Sequence, residues 1–376
     1  MVVPTVPFHV DDPVNAQILA VSEDRVQGFT RYPLRAIAEA AGLPVDTVTE
    51  RIRAMLEAGT VRRVRQTLMA TSLAPGALVA WKVPPRKLTA AFDFMFQQDP
   101  FSGHVVLRTT DKETPGSQYK LWTTLKVPKP YSMEKHCAYL CEQTGAESYK
   151  LLPAKKLFAL GVGHVRRKTV VPGDRTDAPG RVLDTKIVDL TDREWRVLMA
   201  LKREFEPDEL VEDPWVARAE EAGESVEGFC DVAQSLNERR VIGRFSTFLE
   251  HVKKHKDGAR VTKFNALFHW KVPVGKELEA GQEVGRHHCM THAYWREGGP
   301  EFSDVNIMGV SHGTEKERVL EHKAAIDAHL EEAGIPVSYT NVFWGGQSEI
   351  KPSEISPIAY KDWCEKLGID VEAMKV

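Results

Sequence analysis

An internal duplication constrains this chain more than any other feature, because two copies of one segment must fold alike and bury matching faces. Pro33-Leu-Arg-Ala-Ile-Ala-Glu-Ala-Ala-Gly42 answers to Pro214-Trp-Val-Ala-Arg-Ala-Glu-Glu-Ala-Gly223 at an offset of 181. The offset holds without a gap through Val45 and Val226, Val48 and Phe229, Val61 and Ile242, and Arg63-Val64 and Arg244-Phe245. Downstream, Ala77-Leu-Val-Ala-Trp-Lys-Val-Pro84 matches Ala266-Leu-Phe-His-Trp-Lys-Val-Pro273 at an offset of 189. The second copy has therefore gained eight residues between Ser246 and Asn265, in a stretch that holds His251, Lys253, Lys254, His255 and Lys256. Between the copies, Val171–Arg181 is rich in Pro, Gly and Asp and suits an exposed connection.

Local patterns give each copy an α+β architecture. Pro33–Ala41 and Val45–Ala58 have helical apolar spacing around Gly42-Leu-Pro, as in a helix-turn-helix, and Thr60–Leu68 alternates like a wing strand. Leu78–Val83, Val105–Thr109 and Tyr119–Val127 have strand patterns, whereas Leu88–Gln98 and Pro130–Thr144 have helical ones. That order implies a ferredoxin-like sheet with its helices on one face. The expected layout is winged-helix segments at 1–70 and 186–245, and ferredoxin-like α+β domains at 71–170 and 246–376. A linker at 171–185 joins the two copies, and the last domain carries a C-terminal extension.

Charge and composition narrow the classes. A formal net charge of −3 supplies no overall cationic field for nucleic acid or an anionic membrane. The second recognition-helix candidate, Glu224–Glu238, has Glu224, Glu227, Asp231 and Glu238 and no basic residue, so a phosphate groove would repel it. No run approaches a membrane span, the N-terminus does not read as a signal peptide, and the five cysteines show no C-x-x-C pairing. A reduced cytoplasmic protein without nucleic-acid or membrane partners is expected.

The chemistry concentrates in the second copy. Seven of the thirteen histidines lie between His251 and His312, and the densest run is Arg286-His-His-Cys-Met-Thr-His-Ala-Tyr-Trp-Arg296. On a strand, His288, Met290 and His292 would share one face. Imidazole suits proton transfer near neutral pH and ligation of iron. Arg63, Arg108, Arg244 and Arg296 are cations of the kind a ligand rich in carboxylates would need, although solvated surface charge is the usual role of such residues.

Together these patterns resemble the Lrp/AsnC family, and the finer motifs resemble its enzymatic branch, the siroheme decarboxylases. Val241-Ile-Gly-Arg-Phe245 is similar to that branch's V-I-R-R-F entry, and Asn265–Pro273 to its N-A-M-x-x-W-x-V-P strand. His287-His-Cys-Met is similar to S-H-C-Y, and Val305–Gly313 to Y-N-L-Y-x-M-x-H-G. Gly103–Arg108, Tyr119–Trp122 and Leu152–Phe158 match first-copy segments.

The resemblance implies a fused pseudo-dimer that removes acetate carboxylates from siroheme, an iron tetrapyrrole, in heme or heme d1 biosynthesis, with no cofactor beyond that substrate. It implies His251, His288 and His292 as catalytic residues. Arg63, Arg108, Tyr119, Arg244, His255, His269, Arg296 and His312 become substrate contacts, with His251 and His255 as candidate axial ligands to the iron. Two departures stand out: the arginine that follows S-H-C-Y-E is met by His292, and the first tyrosine of Y-N-L-Y by Val305. A heme-binding protein or heme-dependent enzyme on the same fold is the alternative, with heme as cofactor. A transcription regulator fits the fold but not the acidic helix. Further assembly into a homodimer is left open.

Overall fold

The computed structural model describes residues 6–160, 170–183, 186–249 and 263–376. In chain order the elements are α1 (Pro13–Ser22), α2 (Pro33–Ala41), α3 (Val45–Glu57) and β1 (Val61–Leu68). Next come β2 (Gly76–Lys82), α4 (Leu88–Gln97), β3 (Ser102–Thr110), β4 (Leu121–Lys126), α5 (Met133–Thr144), β5 (Ser148–Pro153) and β6 (Lys156–Leu160). The pattern then repeats as α6 (Asp192–Lys202), α7 (Trp215–Ala222), α8 (Val226–Glu238), β7 (Ile242–Leu249), β8 (Phe264–Lys271), α9 (Glu277–Gly285) and β9 (Met290–Trp295). It ends with β10 (Ile307–Gly313), α10 (Lys316–Glu332), β11 (Tyr339–Ile350) and α11 (Pro357–Leu367). The described residues divide into two units, one holding both helical triads and the other both β-rich segments.

In the first unit each triad of helices leads into one strand, and β1 and β7 pair antiparallel with Val64 opposite Thr247. The repeat is visible in its turns. Gly42 and Gly223 end α2 and α7 with φ of 68° and 71°, a left-handed cap where any Cβ would be strained. Leu34, Ile37, Ile52 and Val61 fill one apolar layer, and Trp215, Phe229, Leu236 and Phe245 fill its counterpart.

In the second unit, nine strands form an antiparallel sheet in the order β5-β2-β4-β3-β11-β8-β10-β9-β6. The edge strands β5 and β6 are consecutive in sequence, so the sheet must curl until its edges meet, and Lys155 N donates to Trp295 O at 2.9 Å. The result is a barrel with helices outside. One outer core packs α4, α5 and α11 on Val79, Trp81, Leu121 and Leu125, and the other packs α9 and α10 on Ala266, Phe268 and Trp270. Inside, Ala80, Val106, Trp122 and Leu152 of the first repeat meet Leu267, Met308, Phe302 and Phe343 of the second.

The long strand β11 explains how the repeats interlock. Tyr339–Gly345 pairs with β8 of its own repeat, and Phe343–Ile350 pairs on its other edge with β3 of the other repeat. The C-terminal helix α11 also crosses over. Its Tyr360, Trp363 and Cys364 are buried in the first repeat's outer core, where Tyr360 Oη lies 3.0 Å from His136 Nδ1. His136 Nε2 is 3.3 Å from Asp99, whose buried carboxylate also accepts from Phe101 N and Ser102 N. Burial alone would raise the Asp99 carboxyl, but His136 and these donors outweigh it and hold it below the usual carboxylate range.

The Val170–Leu183 connection is tied to α9 at several points: Thr176 N donates to Arg286 O, Gly180 N to Gln282 O, and Arg286 Nε to Thr176 O.

Candidate active site on the barrel's inner face

Strand pairing aligns the two repeats more finely than sequence matching does. Ala80 opposite Trp122 is the counterpart of His269 opposite Met308, and Gly76 opposite Lys126 is the counterpart of Asn265 opposite His312. Val106 faces Trp122 as Tyr294 faces Met308, and His104 faces Thr124 as His292 faces Val310. Two positions beyond Val106 and Tyr294, Arg108 N donates to Lys120 O and Arg296 N to Asn306 O. His104 and His292 are therefore repeat partners, as are Arg108 and Arg296.

This corrects the expected register by four residues. The run that answers to Gly103–Arg108 is Thr291-His-Ala-Tyr-Trp-Arg296, not the run beginning at His287. The expected loss of the arginine to His292 disappears, because Arg296 occupies its place. The physical cause is local. Helix α9 runs to Gly285, a turn follows, and β9 begins only at Met290. His288 lies in that turn, exposed, with its backbone N–H on Asp174 O at 3.0 Å. A register shift at Val310/Ser311 breaks the alternation, so Met290 packs with Ala293 in the outer core, apart from His292.

Arg108 organises the polar part of the inner face. It is buried at 5% exposure, and both terminal nitrogens reach Asn265 Oδ1 at 3.3 Å, with a further bond to Phe343 O at 3.1 Å. Because Asn265 Oδ1 accepts there, its Nδ2 is the group that faces His312 Nε2 at 3.3 Å. His312 then accepts at Nε2 and carries its proton on Nδ1, 3.4 Å from Thr291 Oγ1. The Thr291 hydroxyl donates to Val310 O at 2.9 Å, which leaves its oxygen to accept from His292 Nδ1 at 3.2 Å as well. His292 stacks parallel to Tyr294, and the Tyr294 ring lies under the Arg296 guanidinium at 4.3 Å. One arginine thus fixes the orientation of an amide, a hydroxyl and two imidazoles.

The inner face is rich in positive charge. Burial pushes Arg108 down to about 10. Burial and then Arg296 push Lys126 down to about 8. Arg296 itself is lowered by burial, partly offset by Tyr294. Among the described residues, no carboxylate acts on any of the three. Arg108 Nε and His269 Nε2 are buried without a partner, among the described residues.

The other expected site residues fall elsewhere. His269 is 1% exposed, packed 4.7 Å from the Phe343 ring, and burial followed by Arg108 pushes it down to about 3. Tyr119 packs against Phe302 at 5.4 Å in the apolar interior. Arg63 and Arg244 belong to the helical unit, where Arg63 pairs with Glu204 at 3.0 Å and Arg244 Nε donates to Glu23 O at 3.2 Å. His251 and His255 lie outside the described residues. Sequence inspection missed Lys126, Tyr294 and His104; their signal was the pairing with Gly76, the T-H-x-Y-x-R run and the repeat.

His287 sits on the outer side with His329 and Glu283: His287 Nε2 to His329 Nδ1 is 2.8 Å, and His329 Nε2 to Glu283 is 3.0 Å. Burial and then His329 push His287 down to about 3. His269 and His287 are thus held neutral when folded but take up protons near pH 6.5 when unfolded. Their contribution to stability is full above about 6.5 and is lost as pH falls toward 3, at up to about 1.4 kcal/mol per pH unit for each histidine. Urea unfolding at pH 7.5, 6 and 4.5 should show this fall, and a His269→Leu/His287→Gln chain should show a shallower one. Equal slopes for the two chains would contradict the assignment.

Comparison with known proteins places the fold. Residues 73–159, within the first repeat of the barrel, match the AsnC-like ligand binding domain. Among particular proteins, the siroheme decarboxylase beta subunit of Methanosarcina barkeri (strain Fusaro / DSM 804) is 24% identical over 149 residues, 39% of this chain and 95% of that protein. The crystal structure of the siroheme decarboxylase NirDL superposes with a TM-score of 0.65 at 21% identity, covering 94% of this chain and 99% of that one. Its co-complex with an iron-uroporphyrin III analogue gives the same TM-score at 20% identity, with the same coverage. The chain shares the NirDL fold over nearly its whole length. No helix among the described residues is long and apolar enough to cross a membrane.

Proposed function

We propose that the chain is a siroheme-decarboxylase-like lyase that removes acetate carboxylates from an iron tetrapyrrole, with its main reaction site at Arg108, Asn265, His312, Thr291 and His292. The observation that carries this reading is the Arg108 network: a buried cation with no carboxylate partner among the described residues, which orients two imidazoles on one inner face. The likeness to siroheme decarboxylases, one of them bound to an iron-uroporphyrin III analogue, supports the substrate class. The two helical triads, each followed by a strand, support winged helix-turn-helix segments retained for packing.

In the reaction, the bond between the carboxylate carbon and its methylene carbon breaks. The electron pair stays on the methylene carbon, carbon dioxide leaves, and a proton converts the methylene to a methyl. His292 supplies that proton, and His312 holds Thr291, which holds His292. Arg108 and Arg296 bind carboxylates that are retained, and the apolar interior behind them keeps water from the departing group. Arg63, Arg244, His251 and His255 remain proposed ligand contacts, the two histidines as axial ligands to the iron. His288, exposed on its turn, has the weaker case as a proton donor.

The test is anaerobic incubation with siroheme, followed by absorbance and mass spectrometry. Stepwise loss of two carbon dioxide masses is the expected result. A shifted Soret band with unchanged mass would instead make the tetrapyrrole a cofactor or cargo, the second reading that a histidine-rich inner face supports.

A further inference from the structure

The barrel carries the Arg108 arrangement twice, and the second version is altered rather than erased. Arg296 is the repeat partner of Arg108, and its guanidinium donates to Leu152 O of the first repeat, just as Arg108 reaches into the second. Where Arg108 meets Asn265, and Asn265 meets His312, the corresponding positions are Gly76 and Lys126. Gly76 lacks the side chain that would fill this place. A Cβ there would come within 2.7 Å of Lys126 Nζ, so the ammonium lies directly over the glycine. Leu152 is paired two residues along β2, opposite Leu78, so Lys126 leans across β2 toward the strand that Arg296 grips.

Two cations brought near one another repel, and among the described residues Arg296 is the charged group that acts on Lys126. Tyr294 partly offsets the effect of burial on Arg296. His104, the repeat partner of His292, stands on the neighbouring strand with Nε2 2.7 Å from Ser348 Oγ. Such charges keep a folded position when an anion completes the set, since bidentate or paired cations hold carboxylates well.

We propose that Lys126 over Gly76 and Arg296 on the adjoining strand's Leu152 carbonyl, flanked by His104, form a second carboxylate-binding pocket, the repeat-related counterpart of the Arg108 pocket. Each pocket draws its arginine from one repeat and its partner side chain from the other, so neither repeat alone contains a complete one. Lysine in place of the oriented histidine makes the second pocket a seat for a carboxylate that is retained. That its occupant is a carboxylate of an iron tetrapyrrole rests on the reading under Proposed function; that it takes an organic polycarboxylate does not.

The experiment uses the full chain and two probes, iron uroporphyrin followed by its Soret band and benzenehexacarboxylate followed by thermal stabilisation. Lys126→Met should weaken iron uroporphyrin about 10- to 100-fold, the usual range for a lost charge-assisted contact, whereas Lys126→Arg should stay within a few-fold of the parent. Benzenehexacarboxylate should raise the melting temperature of the parent and of Lys126→Arg, but not of Lys126→Met. If both probes act equally on the parent and Lys126→Met, the pocket is overturned. If iron uroporphyrin fails to bind the parent while benzenehexacarboxylate still separates the variants, the pocket stands and the tetrapyrrole reading falls.

Discussion

A His292→Ala chain is expected to turn over siroheme about 100- to 10,000-fold more slowly than the parent, the usual range for losing a positioned proton donor. Ground-state binding should change far less, because Arg108 and Arg296, and not the imidazole, are proposed to hold the carboxylates. The effect should therefore appear in kcat with little change in KM. His312→Ala should act more weakly, since His312 works through Thr291 and a water could replace part of its contact. Thr291→Val tests the coupling: it removes the hydroxyl that both imidazoles share, and should shift the pH profile of kcat as well as its size. If His292→Ala turned over siroheme at the parent rate, the proton would have to come from elsewhere on the inner face, and the register argument would lose its functional meaning.

The second large effect concerns the fusion itself. A fragment of residues 186–376 should fail to fold into a soluble, cooperatively unfolding domain. It would leave Ser348–Ile350 of β11 without β3, β9 without β6, and β7 without β1. It would also strip the inner partners from Leu267, Phe302, Met308 and Phe343, and the outer partners from Tyr360 and Trp363. At about 1.5–3 kcal/mol for each large apolar side chain, these six are worth about 9–18 kcal/mol. A whole domain is stable by only about 5–15 kcal/mol. Gel filtration and urea unfolding of the fragment, alone and co-expressed with residues 1–183, provide the check. The fragment alone should aggregate or bind a hydrophobic dye, and co-expression should recover a soluble pair. A monomeric fragment with a sharp unfolding transition would show that the repeats are independent domains.

Much of the architecture was legible because it is written in local patterns. The offset of 181 gave the two helices on either side of the glycine turn in each copy, and Gly42 and Gly223 do end helices in the left-handed region, as a repeated turn requires. The paired W-K-V-P segments gave β2 and β8. Arg108, His292, Arg296 and His312 were each picked out before any tertiary contact was known, and all four lie on the inner face. Tyr119 and His269 were picked out as well, but they lie in the filled, apolar part of the interior. Whether a face is open or filled is not a local property. Phe302, contributed by the loop between β9 and β10, packs beside both rings and makes their surroundings apolar.

The finer register was beyond the sequence for a related reason. In Arg286–Arg296, a turn and a strand share one polar, histidine-rich composition, so nothing in the run marks where extension begins. Hydrogen bonding to β10 decides it, and puts His292 on the strand and His288 in the turn before it. Nor could residue spacing reveal Lys126 over Gly76 or α11 on the first repeat, since these contacts join residues 50 and more than 200 positions apart. By itself, then, the sequence determined the duplication, the elements of each copy and the residue types available for chemistry, because all three follow from short-range periodicity. Tertiary structure alone decided which of those residues meet, because curling the sheet brings strands from opposite ends of the chain to one inner face.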